Sequence, residues 1–111
     1  MPEFARISAV DAATLMDARD AMVLDIRDAQ SFAAGHIAGA HHLEASQATH
    51  ISNTADLDTP IIVCCYHGNS SQQAAAWFAS EGFEEVYSLD GGYEAWSSGG
   101  FSAVGRVSVA E

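Results

Sequence analysis

The 111-residue sequence contains no lysine, and its four arginines stand against fifteen carboxylates. The missing lysine excludes Schiff-base chemistry. A formal net charge of −11 argues against nucleic acid and against anionic membranes as partners, since both need a basic surface that releases counterions. No apolar run approaches the roughly 20 residues that span a bilayer. The start, Met1-Pro2-Glu3-Phe4, has neither the basic region nor the apolar stretch of an export signal, so none is expected. Cysteine is scarce: Cys64 and Cys65 are adjacent and cannot build a disulfide framework, which points to a reducing cytoplasm. His41 and His42 would face opposite sides of a strand, and with His50 they make no recognised ligand spacing, so neither a metal nor another cofactor is expected. Internal repeats and interior linkers are also missing. With 49% hydrophobic residues the chain reads as one folded domain, 1–111, with its core over about 4–98 and a loosely held tail over 99–111.

What is present centres on Ile61-Ile62-Val63-Cys64-Cys65-Tyr66-His67-Gly68-Asn69-Ser70-Ser71. It begins as a short apolar run suited to a strand buried on both faces. A polar turn with one glycine follows, and then alanine-rich helix opened by serines suited to N-capping. Cys65 therefore falls where a buried strand ends, before a loop that enters a helix N-terminus. Backbone N–H groups there point inward and the helix dipole adds positive potential, which favours a thiolate and a small docked anion. The acidic surface does not oppose this, because charges more than about 8 Å away are screened at physiological salt while amides in contact are not. A free thiol titrates near ~8.5, and a partly buried helix terminus supplies up to about 2 kcal/mol toward ionisation.

Along the rest of the chain, Phe4–Ile7 alternates like a strand, and Ser8 with Asp11 resembles a capping box for a helix through about Arg19. Met22–Ile26 reads as a strand, and Asp28 as the N-cap of a helix over Ala29–Ala34 that Gly35 ends. His41–Leu43 reads as a brief strand, and Ala45–Asp58 contains a helix with unresolved ends. After the central loop come a helix over Ser71–Glu81 stopped by Gly82, a strand over Glu85–Leu89, and a short helix from Tyr93 to Trp96. Strands alternating with helices predict an α/β domain with a mostly parallel sheet, whose sites lie at the carboxyl ends of strands.

Three stretches resemble the rhodanese superfamily. Val23-Leu24-Asp25-Ile26-Arg27, followed by Ser31-Phe32 and by Gly35-His36-Ile37-Ala38-Gly39-Ala40-His41-His42-Leu43, is similar to its amino-terminal signature. Cys65-Tyr66-His67-Gly68-Asn69-Ser70-Ser71 is similar to its active-site loop, and Leu89-Asp90-Gly91-Gly92-Tyr93-Glu94-Ala95-Trp96 to its carboxyl-terminal signature. The loop most resembles the short single-domain thiosulfate sulfurtransferases of the GlpE type. This resemblance implies a five-stranded, mostly parallel sheet flanked by helices. It also implies a double displacement in which Cys65 takes sulfane sulfur from thiosulfate and passes it, as a persulfide, to cyanide or to a thiol or dithiol acceptor, a protein among the candidates.

Cys65 is accordingly the expected nucleophile, and Tyr66, His67, Gly68, Asn69, Ser70 and Ser71 the substrate-binding loop. Gly68 serves a left-handed turn that aims its neighbours' amides inward. Ser70 and Ser71 either donate hydroxyls to the sulfur or cap the helix. His67 and Asn69 either meet the sulfite end of the donor or stand in solvent at the loop tip. Tyr66 reads as a rim residue. Strand alternation turns Cys64 to the opposite face, into the core. Asp25 and Arg27 either tie the strand end to neighbouring loops or take a direct catalytic part, His36 packs at a helix end, and Trp77 and Trp96 form core or cleft wall. One alternative function is a sulfur-relay or regulatory module that carries the same persulfide for a protein partner. Another is a cysteine-dependent phosphatase, a class whose fold is similar. Such enzymes use an arginine six residues after the cysteine to clamp phosphate, a position held here by Ser71.

Overall fold

Residues 3–104 are described by the computed structural model. In chain order they form β1 (Ala5–Ile7), α1 (Ala9–Ala18), β2 (Met22–Asp25), α2 (Ala29–Ala34), β3 (His36–Ile37), β4 (His41–His42), α3 (Ala45–Thr54), β5 (Ile61–Cys64), α4 (Ser70–Ser80), β6 (Val86–Leu89), α5 (Gly92–Ser98) and β7 (Ala103–Val104).

The apolar run Ile61–Cys64 is buried along its whole length because it is the central strand. The main sheet has the order β1-β6-β5-β2-β4, with every pair parallel. Alternation sends its side chains into two cores. Ile7, Val23, Ile62, Cys64 and Leu89 pack with Ala12 of α1 and Trp96 of α5 on one face. Leu24, Ile61, Val63 and Val86 pack with Ala75 and Phe78 of α4 on the other, where Ala48 and Ile51 of α3 join them. Cys64 therefore lies in the core, as strand alternation predicts.

The helix ends follow local chemistry, with two surprises. Ser8 Oγ accepts the Asp11 amide and Asp28 accepts the Ser31 amide, so both expected caps form. Gly82, at φ +106°, follows the end of α4. The start of α3 carries a capping box between Glu44 and Gln47 that the weak pattern of 45–58 did not reveal. At α4 the expectation of serine caps is corrected in part: the N-cap is Asn69, which makes no side-chain bond, while Ser71 turns inward.

The tail also differs from expectation. Ala103–Val104 pairs antiparallel with His36–Ile37, a two-stranded ribbon outside the main sheet. The Trp96 indole N–H donates to the Ser102 carbonyl at 2.8 Å, and its ring lies 4.9 Å from that of Phe101. Residues 99–104 are thus fastened across the α5 side, and only 105–111 of the expected loose tail lie outside the described residues. No helix among the described residues is long and apolar enough to cross a membrane.

Candidate active site

The first turn of α4 begins five residues beyond Cys65, and the intervening loop curls back over the sulfur. The Gly68 amide donates to Cys65 Sγ at 3.1 Å and the Ser71 amide at 3.3 Å. Ser71 Oγ lies 3.3 Å from the same sulfur. Burial alone pushes the thiol up. The Ser71 hydroxyl and the amides of Ser71, Gly68 and His67 outweigh it and hold Cys65 below the ordinary thiol value. Cys64 is the reverse case: burial first, and the charge of Asp25 second, push its thiol well above the ordinary range. The two adjacent thiols are thereby shifted in opposite directions, Cys64 away from ionisation and Cys65 toward it.

Two glycine positions make this loop possible. Gly68 has φ +95°, and a Cβ there would stand 2.9 Å from the Gly91 amide nitrogen and 3.1 Å from the Leu89 carbonyl oxygen. Gly92 has φ +59°, and a Cβ would stand 2.4 Å from the Cys65 carbonyl oxygen. That contact lets the first amides of α5 reach the loop: Tyr93 N–H donates to the Cys65 carbonyl at 2.8 Å and Glu94 N–H to the Tyr66 carbonyl at 3.1 Å. The Asp90-Gly91-Gly92 turn thus holds the cysteine loop from behind.

In front of Cys65 is an open cavity of about 220 Å³. Cys65, Tyr66 and Ser70 line it from the loop, and Ile26, Arg27, Asp28 and Ser31 from the segment after β2. Arg27 is the one basic residue in this wall, and its guanidinium is paired with a buried carboxylate. Its Nε and Nη2 bind the Asp25 carboxylate at 2.8–3.1 Å, Nη2 also donates to the Gly35 carbonyl, and its guanidinium carbon stands 4.2 Å from the Tyr93 ring centre. Asp25 is fully buried and the Arg27 side chain nearly so. Burial pushes the Arg27 guanidinium down, but its hydrogen bonds to the charged Asp25 prevail and hold it above its ordinary value. The fastening role expected for Asp25 and Arg27 is present, and Arg27 in addition stands in the cavity wall, whereas Asp25 does not line it.

The remaining loop residues are distributed unevenly. Ser70 and Tyr66 reach the cavity, and Tyr66 is exposed at its rim. Ser71 is buried behind the sulfur, where its hydroxyl pairs with Ser88 of β6 at 2.8 Å. His67 points outward and its Nδ1 lies 2.8 Å from Glu94, an exposed pair. Asn69 is exposed at the helix start. Neither of these two lines the cavity. His36 bonds the Phe32 carbonyl through Nδ1 and stacks on the Phe32 ring at 3.8 Å, and His42 bonds the Arg27 carbonyl. Ser88 was the residue missed. The available signal was its i, i+2 spacing from the core residue Val86, since a buried hydroxyl needs a partner.

A lowered thiol, a ring of inward amides and an arginine at one small cavity can bind a compact anion and attack it with sulfur. The family model described as the rhodanese-like domain matches residues 8–99. The chain is 57% identical over 96 residues to the thiosulfate sulfurtransferase GlpE of Ectopseudomonas mendocina, covering 86% of this chain and 87% of that one. It is 54% identical over 98 residues to the protein of the same name from Pseudomonas entomophila, covering 88% and 89%. Among solved structures, the rhodanese-like domain of an Anabaena protein shares the fold with a TM-score of 0.82 at 24% identity, over 98% of this chain and 88% of that one. A rhodanese-related protein from Thermoplasma volcanium gives a TM-score of 0.77 at 27% identity, over 91% and 98%. On sequence and fold alike, the chain belongs to the rhodanese-like domain family.

Proposed function

We propose that this protein is a thiosulfate sulfurtransferase that works through a persulfide on Cys65. The observation that carries the reading is the set of donors on one sulfur, Gly68 N–H at 3.1 Å and Ser71 N–H at 3.3 Å, at the floor of a cavity walled by Arg27. The relatives named thiosulfate sulfurtransferase support it at more than half identity over most of both chains.

In the first step the Cys65 thiolate attacks the outer sulfur of thiosulfate. The S–S bond of the donor breaks and its electron pair leaves with sulfite. The sulfonate end takes the cavity that Arg27 and Ser70 help to line, and the amides that held the thiolate then hold the persulfide. In the second step an acceptor thiolate, or cyanide, attacks the outer sulfur of the persulfide and returns the electron pair to Cys65. The exchange is split into two displacements, which gives ping-pong kinetics. Gly68 and Ser71 act on the sulfur, Ser70 and Tyr66 border the donor, His67 pairs with Glu94 on the outer face of the loop, and Asn69 stands in solvent at the helix start. Two free thiols suit a reducing, cytoplasmic setting.

The test is thiocyanate formation from thiosulfate and cyanide by the wild type and by Cys65→Ser, with aryl phosphate hydrolysis measured beside it. Thiocyanate formation that Cys65→Ser abolishes, without phosphate release, supports the reading. Phosphate release without thiocyanate overturns it.

A further inference from the structure

A second depression lies beside the reaction cavity. It is an open groove of about 510 Å³ between the N-terminal half of α3 and the length of α4 from Ser70 to Phe78. Leu43, Ala48, Ala74, Trp77 and Phe78 form its apolar surface, with Thr49 and Gln73 at its edge. The groove shares two wall residues, Ile26 and Ser70, with the cavity that holds Cys65. In a chain of net charge −11, none of its lining residues is charged. Trp77 is 36% exposed here, a large ring left uncovered on the same helix that presents its first turn to the sulfur.

The donor does not need this space, because a compact dianion is met by the loop amides in the smaller cavity that Arg27 helps to wall. The acceptor does. It must bring a sulfur to the persulfide and place the rest of its body somewhere contiguous. The groove that shares Ile26 and Ser70 with the reaction cavity is contiguous with it, uncharged, largely apolar and within the size range of small-molecule sites. We infer that the groove between α3 and α4 is the acceptor subsite, and that it selects small thiols with an apolar, uncharged body. The assignment rests on the proposed sulfur transfer and names its second substrate class.

The step balances without any further reagent. The acceptor thiolate forms a bond to the outer sulfur of the Cys65 persulfide, the bond between that sulfur and Cys65 Sγ breaks, and the electron pair stays on Sγ. The products are the acceptor persulfide and the Cys65 thiolate that started the cycle. An anionic acceptor of similar size would have to place its charge among uncharged, mostly apolar side chains that offer it no partner.

The experiment compares benzyl mercaptan, 2-mercaptoethanol and glutathione as acceptors from the thiosulfate-loaded protein, each rate corrected for its thiolate fraction, with cyanide as the reference acceptor. The expected kcat/KM for benzyl mercaptan exceeds that for 2-mercaptoethanol by about tenfold or more, as burial of the ring requires, and glutathione is the poorest of the three. Thr49→Glu, an exposed edge position that tolerates the change, and Trp77→Ala each lower the ratio of benzyl mercaptan to cyanide turnover. Equal rates for the three thiols, or a preference for glutathione, overturn the inference, and the wild-type comparison decides this even if a variant fails to fold. Loss of cyanide turnover in the wild type would instead overturn the sulfurtransferase reading itself, so the two failures are distinguishable.

Discussion

Ser88 Oγ on β6 lies 2.8 Å from Ser71 Oγ on α4, and both hydroxyls are buried behind the Cys65 sulfur. The pair can reverse its polarity. With Cys65 neutral, the thiol donates to Ser71 and Ser71 donates to Ser88. With Cys65 ionised, Ser88 donates to Ser71 and Ser71 donates to the sulfur. Ser88 thus frees the Ser71 hydrogen for the thiolate.

Ser71→Ala removes a hydrogen bond to a charged group, which costs roughly 1.5–3 kcal/mol of thiolate stabilisation. The measurement is the rate of iodoacetamide alkylation of Cys65 against pH. The midpoint of the wild type lies below the ordinary thiol value, Ser71→Ala moves it upward, and Ser88→Ala moves it upward by less.

The same ionisation is linked to stability. The folded-state pKa of Cys65 is depressed, so its contribution is complete above the unfolded value, near about 8.5, and is lost as pH falls through the folded value. Chemical denaturation of wild type and Cys65→Ala should therefore show a stability difference that shifts in favour of the wild type as pH rises toward that limit. Cys64 has the opposite sign: its raised pKa destabilises the fold once pH passes the unfolded value. Cys64→Ala therefore flattens the alkaline loss.

Asp25→Asn leaves the nearly buried Arg27 guanidinium without its carboxylate partner. Breaking a buried pair from one side costs roughly 3–5 kcal/mol. Urea denaturation should show a loss of that order, and Arg27→Met a comparable one that also raises the KM for thiosulfate.

Gly92→Ala forces a side chain into the left-handed region, worth about 1–3 kcal/mol, and drives its Cβ against the Cys65 and Tyr66 carbonyl oxygens. The account predicts a lowered melting temperature and a fall in thiocyanate turnover larger than that of Cys64→Ala, whose effect is confined to packing.

The site was legible where its logic is local. The run from Ile61 through Ser71 shows a buried strand, a glycine turn and a helix start, and that order alone brings amides to Cys65. The face of Cys64 followed from alternation. What depends on distant pairing was not legible. Ser88 reaches the Ser71 hydroxyl only because β6 lies beside β5 with Val63 opposite Ser88, and Arg27 enters the cavity wall because β2 flanks β5 on the other side. Both serines at the head of α4 look alike as N-caps, and only the helix phase sends Ser71 inward while Ser70 faces the cavity. The pairing of Ala103–Val104 with His36–Ile37 joins two segments whose two-residue strands carry too little pattern to read.

The central claim is that one sulfur, Cys65 Sγ, receives and holds the transferred atom. Intact-mass analysis after thiosulfate treatment tests it most directly, with Cys65→Ser and Cys64→Ala in parallel. The account predicts the mass of one added sulfur on the wild type and on Cys64→Ala, none on Cys65→Ser, and its removal by cyanide. An unmodified wild type, or a sulfur adduct that survives Cys65→Ser and vanishes in Cys64→Ala, would contradict it.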